Sequence, residues 1–135
     1  MNKARGYIAS GVFNSHRIPQ HIQNQVIRTY CTQNNLAYVL SRAEYSMEVE
    51  SQCQLWAALE EGFKDIVFYS IWQMPQKMCD RRKVTRHCIK KKILLHFACE
   101  SLIADSIKTF EELELLIQIQ NSIDYRQDSD YLKEI

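Results

Sequence analysis

Apolar and polar positions along this chain fall into four blocks, each a short apolar run followed by a segment at helical spacing. Arg5-Gly6-Tyr7-Ile8-Ala9-Ser10 reads as a first strand. Pro19 suits the opening turn of a helix, where its missing N–H would be unpaired anyway. Ile22, Val26, Ile27, Tyr30 and Cys31 then form one apolar face, with Gln20, Asn24 and Arg28 stacked on the other. Ala37 to Leu40 predicts a second strand, and Leu55, Trp56, Leu59 and Phe63 the inner face of a second helix ending near Gly62. Ile66 to Tyr69 is an unbroken apolar run, as in a strand buried on both faces. A basic helix from Gln76 to Lys91 turns Cys79, Val84 and Cys88 inward, and Ile93 to Phe97 predicts strand four.

Thr109-Phe110-Glu111-Glu112 has the form of a capping box, opening a helix that carries Leu113, Leu116, Ile117 and Ile119. The pattern fades after Asp124, which divides the chain into one domain over 1–124 and a tail over 125–135. Strand and helix alternate throughout, so the expected class is α/β: a single three-layer domain with a four-stranded, mainly parallel sheet. Short connections and right-handed crossovers favour a flavodoxin-like order, 2-1-3-4, with a crevice between strands one and three. Ser10, Ser41 and Ser70 each follow an apolar run, and Cys99 and Glu100 follow the fourth. Parallel strands would bring these polar ends to one rim, where open α/β sheets bind ligands.

Composition narrows the class. With 135 residues, 46% hydrophobic and 24% charged, the chain is one ordinary soluble domain with no room for long linkers. No apolar run approaches the roughly 20 residues that span a bilayer, and the start shows no leader, so a cytoplasmic location is expected. Five cysteines include no C-x-x-C pair, so neither a metal nor any other cofactor is anticipated. A formal net charge of +1 offers nucleic acid no general attraction. The cations are nonetheless uneven: Lys77, Arg81, Arg82, Lys83, Arg86, Lys90, Lys91 and Lys92 crowd one segment, either as a solvated face or as a surface for an acidic partner.

On the rim, the helix start near Pro19 presents free N–H groups and a positive dipole end, which suit phosphate or carboxylate. Arg17 could clasp the anion, and Gln20, Asn24 and Ser10 could orient hydroxyls, with Ser41, Ser70 and Glu100 completing a binding rim. Neither G-x-G-x-x-G nor a Walker lysine is present. Glu44 is the candidate general acid or base and Tyr45 its acid partner, against the plainer reading of Glu44 in an ion pair with Arg42 or Arg17. His96 lies inside an apolar run and reads as a core histidine; Cys99 has no assigned base.

Arg5-Gly6-Tyr7-Ile8-Ala9-Ser10 and the Arg17-Ile18-Pro19-Gln20 to Asn24 segment, together with Leu40-Ser41, Glu44-Tyr45, Tyr69-Ser70, Pro75 and Phe97 to Glu100, resemble the sporadic carbohydrate cluster proteins of bacterial surface-polysaccharide gene clusters. That resemblance implies a role in making O-antigen, lipopolysaccharide or capsule sugars, without supplying a reaction. A more distant likeness is to the catalytic domain of serine recombinases, or resolvases, carried by Gly6-Tyr7, the glutamine-rich first helix and the hydrophobic third strand. There the recombinase nucleophile would fall on Gly11, and the arginines expected after strand three are replaced by Ser70, Trp72, Gln73 and Gln76. Without arginines nothing would stabilise charge on a transferring phosphodiester, so this likeness implies a shared fold without strand exchange.

The expectation is therefore a small protein of surface-carbohydrate biosynthesis. It would bind a phosphorylated or nucleotide-linked sugar at the strand ends, with isomerisation, epimerisation or dehydration as the fitting reactions. The alternative is a non-catalytic assembly or regulatory subunit docking on a carbohydrate enzyme through Trp72, Met74 and the helix of Leu113 to Ile119. Self-association, most simply as a homodimer, is expected; a membrane and DNA are not.

Overall fold

The apolar runs pair edge to edge into one five-stranded sheet, β2-β1-β3-β4-β5, in which only β5 is antiparallel to its neighbour. The elements are β1 (Asn2–Ala9), α1 (Gln20–Gln33), β2 (Leu36–Glu44), α2 (Cys53–Glu60), β3 (Asp65–Phe68), a 3-10 turn (Ile71–Gln73), α3 (Met78–Lys91), β4 (Leu94–Phe97), β5 (Leu102–Ala104) and α4 (Ile107–Glu134). They come from a computed structural model that describes residues 1–10, 17–45 and 52–134, with side chains described as far as 123. The α/β class and the order 2-1-3-4 hold, and one short strand is added.

Helices cover both sheet faces because the central strands are apolar on both. On β3, Ile66 and Phe68 point into a core built with Leu55, Leu59, Val84, Cys88, Phe110, Leu113 and Ile117, so α2, α3 and α4 share that face. Val67 points the other way, into a smaller core with Ile8, Ile27, Tyr30 and Cys31 under α1. Tyr7, Phe68 and Phe97 run in a row across the larger core at 5.0 Å ring spacings, each contributing about 1.5–3 kcal/mol by burial. In the smaller core Tyr30 Oη lies 2.7 Å from His96 Nδ1, and His96 Nε2 lies 2.8 Å from an Asp65 carboxylate oxygen. Both ring nitrogens thus have a partner, so His96 is the core histidine that its apolar run predicts.

Three differences from the sequence pattern have physical causes. Strand two runs on to Glu44 rather than stopping at Leu40, because β2 is an edge strand and tolerates the polar Ser41-Arg42-Ala43-Glu44 stretch. Its ladder to β1 slips between Ala4 and Gly6, and a β-carbon at Gly6 would collide with the Ser41 hydroxyl. β5, three residues long, is too short to show a period; it folds back on β4 through a turn in which Ser101 takes φ 52°. The capping box is displaced: Ser106 precedes α4, its Oγ accepts from the Thr109 N–H at 3.3 Å, and Thr109 Oγ1 accepts from the Ser106 N–H at 2.8 Å. Thr109 is thus the returning partner of the cap rather than the cap itself. α4 continues through position 124 to Glu134, and at 1.5 Å per residue its 28 residues span about 42 Å. Among the described residues no helix is long and apolar enough to cross a membrane.

Candidate functional site

β1, β2 and β3 end together, and below their ends lies a chain of buried amides. Gln23 projects from the inner face of α1 at 0% exposure, and its Nε2 donates to the carbonyls of Ala9 and Ile18, both at 2.8 Å. Its Oε1 accepts from the Ala9 N–H and from Gln73 Nε2. Gln73 Oε1 in turn accepts from the Tyr69 and Ser70 N–H groups at 3.0 and 3.4 Å. Gln52 Nε2 donates to the Gln73 carbonyl and to Tyr7 Oη, both at 2.9 Å, and Tyr7 donates to Glu44 Oε2 at 3.0 Å. A buried amide without partners costs about 1–3 kcal/mol, so this lattice fixes the three strand ends against each other.

Glu44, 4% exposed, closes the chain. Its carboxylate accepts from the Gln54 and Leu55 N–H groups at 3.2 and 3.3 Å, the unpaired donors at the start of α2, where the helix dipole favours an anion. Burial, opposed by the Gln52 hydrogen bond and reinforced by the Glu44 charge, pushes the Tyr7 hydroxyl far above its ordinary range. Glu44 therefore caps a helix, and its ion pair with Arg42 does not form: Arg42 turns to Glu61 at 2.7 Å. Tyr45, proposed as its acid partner, stands 85% exposed.

The remaining rim residues fall into two groups and two outliers. Ser10 continues β1 and accepts from Gln20 Nε2, the first side chain of α1, with Arg17 exposed close by in sequence. Ser70 donates from Oγ to Glu100 Oε2 at 2.8 Å, and Glu100 Oε1 accepts from the Ile71 N–H at 3.0 Å, so these two cap the 3-10 turn. Asn24 and Ser41 leave the rim. Ser41 pairs with Gly6 in mid-sheet, three residues below the Ala9–Glu44 pair, and Tyr38 Oη bridges it at 2.8 Å to Asn24 Oδ1 at 3.1 Å. Pro19 stands just before α1, and its carbonyl accepts from the N–H groups of Ile22 and Gln23. Positions 11–16, between Ser10 and Arg17, lie outside the described residues.

Burial pushes the Cys99 thiol up despite its Tyr69 hydrogen bond, which keeps it protonated rather than activated. Tyr69 itself is pushed up to about 12, first by burial and then by Cys99. Among the described residues no group of three or more His, Cys, Asp or Glu could hold a metal. A cavity of about 470 Å³ lies elsewhere, at the starting ends of β1 and β3, lined by Lys3, Glu61, Phe63 and Lys64 among others. The structural glutamines are absent from the sequence-based site. Their signal was a polar residue in an apolar phase: Gln23 four before Ile27, and Gln73 between Trp72 and Met74.

No protein-family model matches the chain, and no curated protein does. Solved structures do. The N-terminal catalytic domain of TP901-1 integrase is similar at TM-score 0.69 and 12% identity, over 94% of this chain and 99% of that one. A resolvase family site-specific recombinase from Streptococcus pneumoniae is similar at TM-score 0.66 and 10% identity, over 99% and 97%. The domain has the resolvase-like fold.

These neighbours correct the functional expectation. A role in surface-carbohydrate, O-antigen or lipopolysaccharide biosynthesis is overturned, and with it the phosphorylated or nucleotide-linked sugar and the carbohydrate-enzyme partner. No comparison supports the carbohydrate cluster resemblance. The exclusion of DNA also falls, because the neighbours are site-specific recombinase and integrase domains. It rested on a net charge of +1, an average that hides a strongly cationic helix behind acids elsewhere.

Proposed function

We propose that this protein is a cytoplasmic DNA-binding domain of a recombinase-type assembly that supports DNA recombination by binding and self-associating, without cleaving a strand itself. The observation that carries the reading is end-to-end correspondence with recombinase and integrase catalytic domains, 94% and 99% of the two chains at TM-score 0.69. Two features argue against cleavage. The place that the resolvase likeness gives to a nucleophile is Gly11, which has no hydroxyl, and Ser70 to Gln76 contains no arginine. The nearest guanidinium in sequence, Arg81, is spent: its Nη2 and Nε donate to the Glu114 carboxylate at 2.7 and 2.8 Å, and its Nη1 to the carbonyls of Pro75 and Gln76. The stretch after β3 therefore offers a transferring phosphodiester no free guanidinium of the kind that stabilises phosphoryl transfer.

Self-association is supported by α4, whose outer side exposes Leu115, Leu116, Ile119 and Ile123 beyond the Leu113 and Ile117 that it buries in the core. A second copy of the same helix would cover that stripe. The test combines a labelled 30-base-pair duplex, a supercoiled plasmid and light scattering. The expected result is a dimer or larger species that binds the duplex and leaves the plasmid supercoiled. A nicked plasmid would overturn the non-cleaving role, and a duplex left unbound at 50 mM salt would overturn the DNA role.

A further inference from the structure

The face of α3 that looks away from the sheet carries a stripe of cations that no part of the rim uses. With 3.6 residues per turn, Arg82, Lys83, Arg86 and Lys90 fall within about 100° of the helix circumference. All four are exposed, whereas Arg81, Val84 and Cys88, on the other side of the helix, are buried. Lys91, the last residue of α3, and Lys92 just past it are exposed as well. Among the described residues the ion pair on this stripe is a loose one, Lys83 to Asp80 at 4.0 Å. Glu114 on α4 is held by Arg81, and Arg82 also adds its charge to that carboxylate.

Resting on the DNA-binding reading above, we infer that the outer face of α3 is the surface that takes the DNA backbone, with Arg82, Lys83, Arg86 and Lys90 each facing a phosphate. The spacing suits a polyanion. From Arg82 to Lys90 the stripe rises about 12 Å, at 1.5 Å per residue. A DNA strand presents a phosphate every 3.4 Å or so of helix axis, so about four lie within reach. The side chains on this face are long, flexible cations of the kind that supply most phosphate contacts, so the contact inferred is to the backbone. A membrane fits less well. A surface-lying helix must insert its apolar face, and here Val84 and Cys88 on that face are 0% exposed against the sheet core.

Cys79, expected inward from its spacing, lies inside the same arc and is exposed, which supplies a native reporter; exposed Cys53, at the start of α2, serves as the control. The experiment measures duplex affinity across salt for the full chain and for the triple variant Arg82→Glu, Arg86→Glu, Lys90→Glu, with maleimide labelling of each cysteine. For four phosphates the logarithm of affinity should fall with that of salt at a slope near −3.6, or about −0.9 per contact. The triple variant should bind more than tenfold more weakly, with the slope reduced by about three. DNA should protect Cys79 in the unaltered chain and leave Cys53 reactive, a result that does not depend on the variant folding. If the unaltered chain binds DNA but the variant keeps its affinity and slope, or Cys79 stays reactive, α3 is not the contact surface. If the unaltered chain binds no duplex, the DNA-binding reading itself fails. Capture of polyglutamate or anionic vesicles in preference to duplex, lost in the same variant, would reassign the stripe to another polyanion and overturn the inference.

Discussion

At the strand ends Gln23, Gln52, Gln73 and Glu44 bond to one another and to backbone groups, while on α3 Arg82, Lys83, Arg86 and Lys90 face water across the outer side of the helix. Both regions are dense in polar side chains, and the difference lies in what remains unspent. A buried amide is held in place by having every donor and acceptor matched, and in matching them it loses the capacity to bind anything else. An exposed cation keeps its charge available because solvent, rather than a fixed partner, surrounds it. The rim resembles a ligand site in its residue types and acts as a clamp on three strands.

That contrast can be broken by substitution, most severely in the buried networks. His96→Leu removes a hydrogen-bond partner of the buried Asp65 carboxylate and should cost about 1.5–3 kcal/mol, read from urea unfolding. A loss below 1 kcal/mol would mean that the pair contributes nothing to the core. Gln73→Leu removes an acceptor from the Tyr69 and Ser70 N–H groups and a donor from Gln23 Oε1, and should cost about 1–3 kcal/mol by the same measurement. Glu44→Gln keeps the shape of the α2 cap but loses its charge, so about 1 kcal/mol should go. An unchanged unfolding midpoint in that variant would mean that the carboxylate charge contributes nothing to the α2 cap.

The Arg81–Glu114 joint between α3 and α4 gives a pH-dependent test. Burial raises the Glu114 carboxyl, but Arg81, Gln118 and Arg82 outweigh it and hold the group below the usual carboxylate range. A lowered folded value means that the unfolded chain binds the proton first. The joint therefore stabilises fully above the ordinary carboxylate value of about 4.3 and loses that contribution as pH falls through the lowered one. Glu114→Gln should flatten the fall in stability between neutral pH and this acid range, and an acid titration as steep as that of the unaltered chain would count against the joint. The smallest effect belongs to the exposed stripe. Arg86→Glu or Lys90→Glu should move stability by less than about 0.5 kcal/mol, so circular-dichroism melts that shift by many degrees would show that α3 cations hold the fold.

Much of the fold was legible because period and burial are local properties. Ile66 to Tyr69 had to be a strand covered on both sides, and Ile27, Tyr30 and Cys31 the inner face of a helix. β5 was invisible because three residues cannot show a period, and the end of β2 was misplaced because an edge strand needs no apolar signature. The candidate site was less legible. Ser10, Gln20, Ser70 and Glu100 do reach the strand ends, while Ser41 sits partway along β2, which runs past Leu40 before it ends, and Tyr38 ties it to Asn24 on α1.

The order of hydrophobic and polar residues determined that this chain makes a parallel sheet between helices, since alternating periods leave few other ways to bury those faces. It also placed the positive charge on one helix. Only the tertiary structure decided which polar groups are consumed. Gln23 and Gln73 stand 50 positions apart in the chain and 2.8 Å apart in space. Hydrogen bonding acts through that second distance, and no local pattern in the sequence encodes it.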